Sequence, residues 1–321
     1  MLQFIIRRLI GLVVIVFIVV VLNFMLMHLA PGDPISILAG VDHPSQTMVN
    51  QLRAKYGLDQ PLSVQFKRYV GNLLHGDLGR SIIYDQPVSK LIGQRLPPTL
   101  LLTLTAAVVS LVLGILLGTW SATELGSRFE GVISTVSYTF YAMPAFWLGL
   151  MLMLVFSSIL DILPTSGMTS SRHSYVGLMH WLDVAKHLVL PVTTLILIET
   201  PVYYRITRTS ILQSINSNFV TMLTASGMKE STIFNKYVLK NAILPTVTMF
   251  GLRLGYVITG AALVEIVFAW PGMGRLTLDA VFRRDYTLLM GVYLAVSISV
   301  GLMILITDVV YAYIDPRIRY E

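Results

Sequence analysis

Glu199, Arg253, Glu265 and Asp308 are ionisable side chains set inside otherwise apolar runs of a 321-residue sequence. Placing such a group in hydrocarbon costs about 2.5–3.5 kcal/mol on insertion scales, so each needs a physical reason to be there. Counted at about 1.5 Å per helical residue from the ends of their runs, Glu199 and Arg253 both lie about 17 Å deep, near a midplane, where they can pair across two helices. Two readings stay open for them. They are an ion pair or two snorkelling side chains that serve packing, or they are a polar lining for a solute path. Glu265 lies about 18 Å farther along the helix of Arg253, toward an outer mouth, and Asp308 marks an inner boundary. Glu199, Arg253 and Glu265 are therefore the translocation-path candidates. Pro191 and Pro201 are expected to kink the Glu199 run, which a membrane helix tolerates where it lines a cavity.

Other chemistry has little support. The sequence has no G-x-x-x-x-G-K-[ST] phosphate loop, so any dependence on ATP and magnesium must come from partner subunits, and no cofactor is expected in this chain. There is no H-E-x-x-H and no G-x-S-x-G, and no two histidines are spaced as helical metal ligands, so neither catalytic residues nor metal ligands are expected. Cysteine is absent, which removes disulfides, thiolate metal sites and a cysteine nucleophile. The net charge of +6 comes from scattered Lys and Arg, without the aromatic-interleaved basic clusters that a nucleic-acid surface needs.

The elements that must carry the four charges are transmembrane helices. Apolar residues make up 55% of the chain and charged ones 12%, with mean hydropathy +0.73, too little charge for a water-soluble surface. The apolar residues collect in runs at Leu9–Ala30, Thr99–Thr123, Gly131–Leu160, Leu188–Tyr204, Ala242–Ala269 and Tyr286–Thr307. A helix needs about 20 residues to cross hydrocarbon, so the expected fold is an all-α polytopic membrane protein with six spans. The first run is too long for a signal-peptide core and is closed by Pro31-Gly32-Asp33-Pro34, so an uncleaved helix is expected over residues 1–30. Residues 31–98 read as a small extracytoplasmic element ending at Pro97-Pro98, and residues 99–321 as the remaining membrane domain. Lys and Arg in short loops favour one side: Arg7, Arg8, Arg128, Arg205, Arg208, Lys229, Lys236, Lys240, Arg317 and Arg319, against Arg172, Lys186, Arg275, Arg283 and Arg284. Both termini are therefore expected in the cytoplasm.

Between the fourth and fifth runs, the cytoplasmic loop 205–241 is longer than a connection requires. Asn216-Ser217-Asn218 offers a helix N-cap, the residues from Phe219 to Ala225 place apolar groups on one face, and Gly227 supplies a stop. Helices that lie on membranes usually carry Lys and Arg on the polar face, and this one has none, which favours docking into a partner's groove.

At this point the chain resembles the transmembrane permease subunits of ATP-binding-cassette importers of the oligopeptide, dipeptide and nickel class. The resemblance begins at Met1-Leu2-Gln3-Phe4 and Pro31-Gly32-Asp33-Pro34. It continues through Tyr56-Gly57-Leu58-Asp59-Gln60-Pro61 and Gly76-Asp77-Leu78-Gly79-Arg80-Ser81, and through Leu239-Lys240-Asn241-Ala242-Ile243-Leu244-Pro245. It is strongest at Glu265-Ile266-Val267-Phe268-Ala269-Trp270-Pro271-Gly272-Met273-Gly274-Arg275 with Arg284-Asp285-Tyr286, and closes at Asp315-Pro316-Arg317-Ile318-Arg319. The resemblance implies a non-catalytic subunit of the bacterial cytoplasmic membrane. Its implied partners are a second permease, expected to be a paralogue, two ATP-binding-cassette ATPases that bind ATP and Mg, and an extracytoplasmic solute-binding protein. The cargo would be a di- or oligopeptide, with nickel or a metal chelate as the alternative.

The resemblance also assigns roles. Asn218, Phe219, Val220, Met222, Leu223, Ala225, Gly227 and Met228 would form the ATPase-coupling helix, with Asn241, Leu244 and Pro245 in the adjoining motif. Asn218 and Met222-Leu223 depart from the acidic residue and the Thr-Ala pair common in the family. Trp270, Pro271, Gly272, Gly274, Arg275, Arg284 and Asp285 would belong to the outer mouth that receives the binding protein. By itself, Trp270-Pro271-Gly272 reads as an interfacial aromatic anchor followed by a turn.

Overall fold

The computed structural model describes residues 2–29, 47, 59–171, 175–259 and 261–314. Expectations for Pro31-Gly32-Asp33-Pro34, Tyr56-Gly57-Leu58, Arg172, the side chain of Asp308 and the closing Asp315–Arg319 fall outside what is described. In chain order the helices are α1 (Leu2–Leu29), α2 (Leu62–Leu74), α3 (Val88–Thr123), α4 (Arg128–Ala142), α5 (Ala145–Ile159), α6 (Leu178–Ile215), α7 (Asn218–Ala225), α8 (Glu230–Leu254), α9 (Ala262–Val267), α10 (Met273–Phe282) and α11 (Tyr286–Ile314). The chain is an all-α polytopic membrane protein: four helices are long and apolar enough to cross a bilayer, at Ile6–Leu29, Val88–Thr123, Leu178–Ile215 and Tyr286–Ile306. Two bent pairs, α4 with α5 at 104° and α8 with α9 at 42°, bring the number to six if each pair is one span.

Three boundaries differ from the sequence reading. α3 begins at Val88, not after Pro97-Pro98, and runs through both prolines. Those rings have no N–H for the carbonyls of Gly93 and Gln94, four residues earlier, but both residues are exposed and their carbonyls can find other donors. The Gly131–Leu160 run is not one rod, because Pro144 forces Met143 into an extended conformation (φ −79°, ψ 136°) and ends α4. α6, in contrast, runs unbroken through Pro191 and Pro201, and the interruption falls between α8 and α9.

The chain divides into two compact units, residues 1–98 with 272–321, and residues 99–271. In the first unit α1 packs along α11 closely enough that a Cβ on Gly301 would lie 2.0 Å from Leu12 Cδ1. Asn23, polar in an apolar run, is buried there and gives its side-chain N–H to the Met290 carbonyl at 3.4 Å. Val88, Leu91, Ile92, Met273, Leu276 and Leu288 form the core.

The second unit is organised around α6. Gly114 and Gly118 let α3 approach it: a Cβ on Gly114 would lie 2.3 Å from Tyr203 Cβ, and one on Gly118 2.8 Å from Thr207 Cβ. One turn on, the Tyr204 hydroxyl lies 3.0 Å from Ser121 Oγ and 2.7 Å from Ser134 Oγ, tying α3 and α4 to α6. Glu130 of α4 accepts from Ser134 and from Arg208, the latter at 2.9 Å.

Candidate functional site

α7 is anchored on one side and bare on the other. Phe219, Val220, Leu223 and Met228 pack against buried Ala122, Ile211, Ile233, Val238 and Ala242. Asn218, Thr221, Met222 and Ala225, spaced i, i+3, i+4 and i+7, are exposed, and Met222 is 65% exposed. This face carries no charge. Ser217 occupies the N-cap position, yet its hydroxyl makes no capping bond and turns back to the Ser214 carbonyl. The C-terminus closes by a Schellman arrangement: Met228 N–H donates to Leu223 O at 3.3 Å and Gly227 N–H to Thr224 O at 3.0 Å, with Gly227 at φ +77°. Asn241, Leu244 and Pro245 are all exposed in α8.

Glu199 and Arg253 share one cavity of about 530 Å³, which Thr103 and Ala107 of α3 and Tyr256 and Val257 also line. The cavity separates the two charges. No ion pair or hydrogen bond joins these described side chains, so the pairing expected across helices is replaced by two charges facing a common space. Glu199 is half-buried and Arg253 exposed. The interruption between α8 and α9 forms part of the wall, as Tyr256, Val257, Thr259 and Ala261. Irregular backbone inside a bilayer must find donors, and Thr103 Oγ1 supplies one to the Val257 carbonyl at 3.1 Å. Tyr203, one turn beyond Glu199, is fully buried; its hydroxyl has no hydrogen-bond partner and lies within electrostatic reach of both charges.

Glu265 is elsewhere. It is fully buried, accepts from Thr99 Oγ1 at 3.0 Å, and does not line the cavity.

The residues expected at an outer mouth are mostly interior. Trp270 is 0% exposed, within a core that includes Leu102, Leu190, Val264 and Phe268, and is not an interfacial anchor. It follows Ala269 at φ +49°, and its N–H closes the end of α9 on the Glu265 carbonyl at 2.7 Å. Gly272 and Gly274 are buried, and Pro271 and Arg275 are half-buried. Asp285 is buried as the cap of α11, accepting from Leu288 N–H at 3.0 Å, Ile83 N–H at 3.1 Å and the Ser81 hydroxyl. Arg284 is exposed, and its φ of +55° ends α10. Of this group it is Arg284 that is fully presented on a surface.

The Tyr204 network and the Gly114/Gly118 contact were not among the sequence candidates. The spacing of the glycines, G-x-x-x-G in an apolar run, carried a signal for close helix packing; the network carried none, because its members come from three helices.

Membrane helices, a cavity lined by one charge of each sign and a surface helix bare on one face fit a membrane permease component. The chain belongs to the family described as the binding-protein-dependent transport system inner membrane component, matched over residues 111–320. Residues 1–103 match the N-terminal region described for such membrane components. Along its whole length the chain is similar to the glutathione transport system permease protein GsiC of Salmonella paratyphi A and of Salmonella typhi, each 38% identical over 321 residues, 100% of both chains. The permease of the same name from Escherichia coli K12 is 37% identical over the same span. The chain is thus a non-catalytic permease subunit of an ABC importer of the dipeptide and oligopeptide class, an inner-membrane component of a bacterial transport system.

Proposed function

We propose that this chain forms half of the translocation path of an ATP-driven importer of short peptides, with both termini in the cytoplasm. Support for the orientation comes from the excess of Lys and Arg in the short loops on one side. A second permease, expected to be a paralogue, completes the path; two ATPase subunits bind ATP and magnesium; an extracytoplasmic binding protein delivers the solute. Glutathione, the solute named for the similar permeases, is itself a tripeptide and falls within the class. Nickel or a metal chelate is the alternative cargo; among the described residues no group of three His, Cys, Asp or Glu is gathered that could hold a metal ion.

The observation that carries the reading is α7: an apolar side held by the core, an uncharged side with Met222 outward, and a glycine stop. Such a helix transmits force if it seats in an ATPase groove, because its packed face moves α6 and α8 with it. ATP-driven closure of the ATPases then rocks the permeases between outward-open and inward-open states.

Two substitutions test this. Met222→Glu puts a charge on the bare face without disturbing the packed one. It is expected to lower co-purification of the ATPases and their stimulation by loaded binding protein about tenfold, with normal amounts of permease in the membrane. Normal ATPase stimulation in this variant would overturn the docking assignment. At Gly227 there is open space around the missing Cβ, so only backbone strain opposes a side chain, about 1–3 kcal/mol for a non-glycine residue at positive φ. Gly227→Val is expected to leave ATP turnover while reducing import, and Gly227→Asn, which tolerates this conformation, to retain both. The measurement is solute imported per ATP hydrolysed in proteoliposomes.

A further inference from the structure

We infer that the cavity between Glu199 and Arg253 reads both ends of a zwitterionic peptide, Glu199 receiving the terminal ammonium and Arg253 the terminal carboxylate. The inference rests on the proposed reading of the chain as a peptide permease and adds which groups select the solute. Three observations lead to it.

First, the two side chains are opposite in charge, line one space and are not joined by a bond. A pair that existed for packing would close on itself, since an unpaired charge at depth is costly. Two charges kept apart are suited to a solute that brings one of each sign. Second, the volume, about 530 Å³, falls in the ordinary range for small-molecule sites, roughly 300–1,000 Å³. Third, the cavity is lined where the span is interrupted, at Tyr256, Val257 and Thr259. Irregular backbone lining a cavity is how a bilayer protein offers hydrogen bonds to a polar solute. A guanidinium forms paired hydrogen bonds with a carboxylate, and a carboxylate accepts from an ammonium, so each end has a matched partner. The arrangement disfavours a bare cation, which Arg253 would repel.

The test uses the complete importer in proteoliposomes with its binding protein. The probes are trialanine with free ends, N-acetyl-trialanine and trialanine amide. Import rates are compared as ratios within each variant against the wild-type ratios, so the preference of the binding protein cancels. Glu199→Gln is expected to reduce the preference for the free over the acetylated peptide about tenfold, the usual order for one charge-assisted bond, and to leave the preference over the amide unchanged. Arg253→Gln is expected to do the reverse. Should the neutral variants not assemble, Glu199→Asp and Arg253→Lys keep the charge on a different arm and are expected to shrink only their own ratio. Unchanged ratios in variants that import overturn the inference while the peptide reading stands. Met249→Trp, which narrows the cavity without touching either charge, should slow all three probes alike; undiminished import would show that the solute goes elsewhere and overturn the inference. Failure of the wild-type importer to carry free trialanine would overturn the peptide reading and the inference with it.

Discussion

Gly114→Leu is expected to prevent the protein from accumulating as a folded permease, or to lower the melting temperature of what remains by many degrees. The clash is between rigid parts: the first carbon of any side chain at position 114 meets Tyr203 Cβ at 2.3 Å, with the Tyr204 backbone nitrogen at 3.0 Å. Neither belongs to the flexible end of a side chain, so α3 and α6 must move apart. Overpacking of this kind costs about 1–3 kcal/mol, and about 3 kcal/mol or more is expected when helix backbones must separate. Separation also pulls Ser121 away from the Tyr204 hydroxyl, which then loses a partner in the middle of the bundle. Gly131→Leu is the control. Gly131 lies in α4 with nothing within 4 Å of its missing Cβ, so leucine there meets no clash and should not destabilise, with a gain of up to about 1 kcal/mol from helix propensity. Membrane-extracted protein, measured by thermal unfolding and by the amount recovered as one species, distinguishes them. Equal behaviour of the two variants would contradict the close α3–α6 contact.

Asp285→Ala is the second large effect expected. Asp285 serves three donors at once, Ser81 Oγ, Ile83 N–H and Leu288 N–H, and alanine leaves all three without an acceptor in a buried site. At about 1–3 kcal/mol for each orphaned group, the loss is expected to reach about 3 kcal/mol even with partial relaxation. The loop is braced by further local bonds: Gly79 N–H donates to Asp77 Oδ1 at 2.8 Å and Tyr84 N–H to Ser81 Oγ at 3.0 Å. Limited proteolysis between Asp77 and Gln86 should therefore speed up in Asp285→Ala before the rest of the chain is cut. Asp285→Asn keeps one acceptor oxygen and should lie between the variant and the parent. If the alanine variant is cut no faster than the parent, Asp285 is not what holds the loop.

These two positions show how a sequence signal changes meaning in three dimensions. Gly76-Asp77-Leu78-Gly79-Arg80-Ser81 and Arg284-Asp285-Tyr286 carry the family resemblance from distant parts of the chain, and Asp285 was expected at a receiving surface. The hydrogen bonds join the motifs to one another: Gly76 and Gly79 take φ of +77° and +82°, and the resulting turn delivers Ser81 and Ile83 to Asp285. An aspartate beside an exposed arginine looks the same in sequence whether it faces a partner or caps a helix inside.

The membrane character was legible because hydrocarbon imposes its length on the chain; about 20 apolar residues in a row have few other uses, and most of the helices fall on such runs. α7 was legible for a local reason as well: the apolar repeat after Ser217 marks the helix, and Gly227 at positive φ closes its end, although the Ser217 hydroxyl does not cap the start. Glu199 and Arg253, expected to meet across two helices, line one cavity. Whether they bond was decided by the tertiary structure, in which an interruption after Leu254, rather than the prolines of α6, leaves a cavity between them. Proline gives no unique signal: a helix passes through it where the freed carbonyls belong to exposed residues, as at Pro97 and Pro98, and stops where the preceding residue turns extended, as at Met143. Burial is still less local. Trp270 has the composition of an interface anchor, but it is buried in a core with Leu102, Leu190, Val264 and Phe268, and only the packing of helices distant in sequence could determine that.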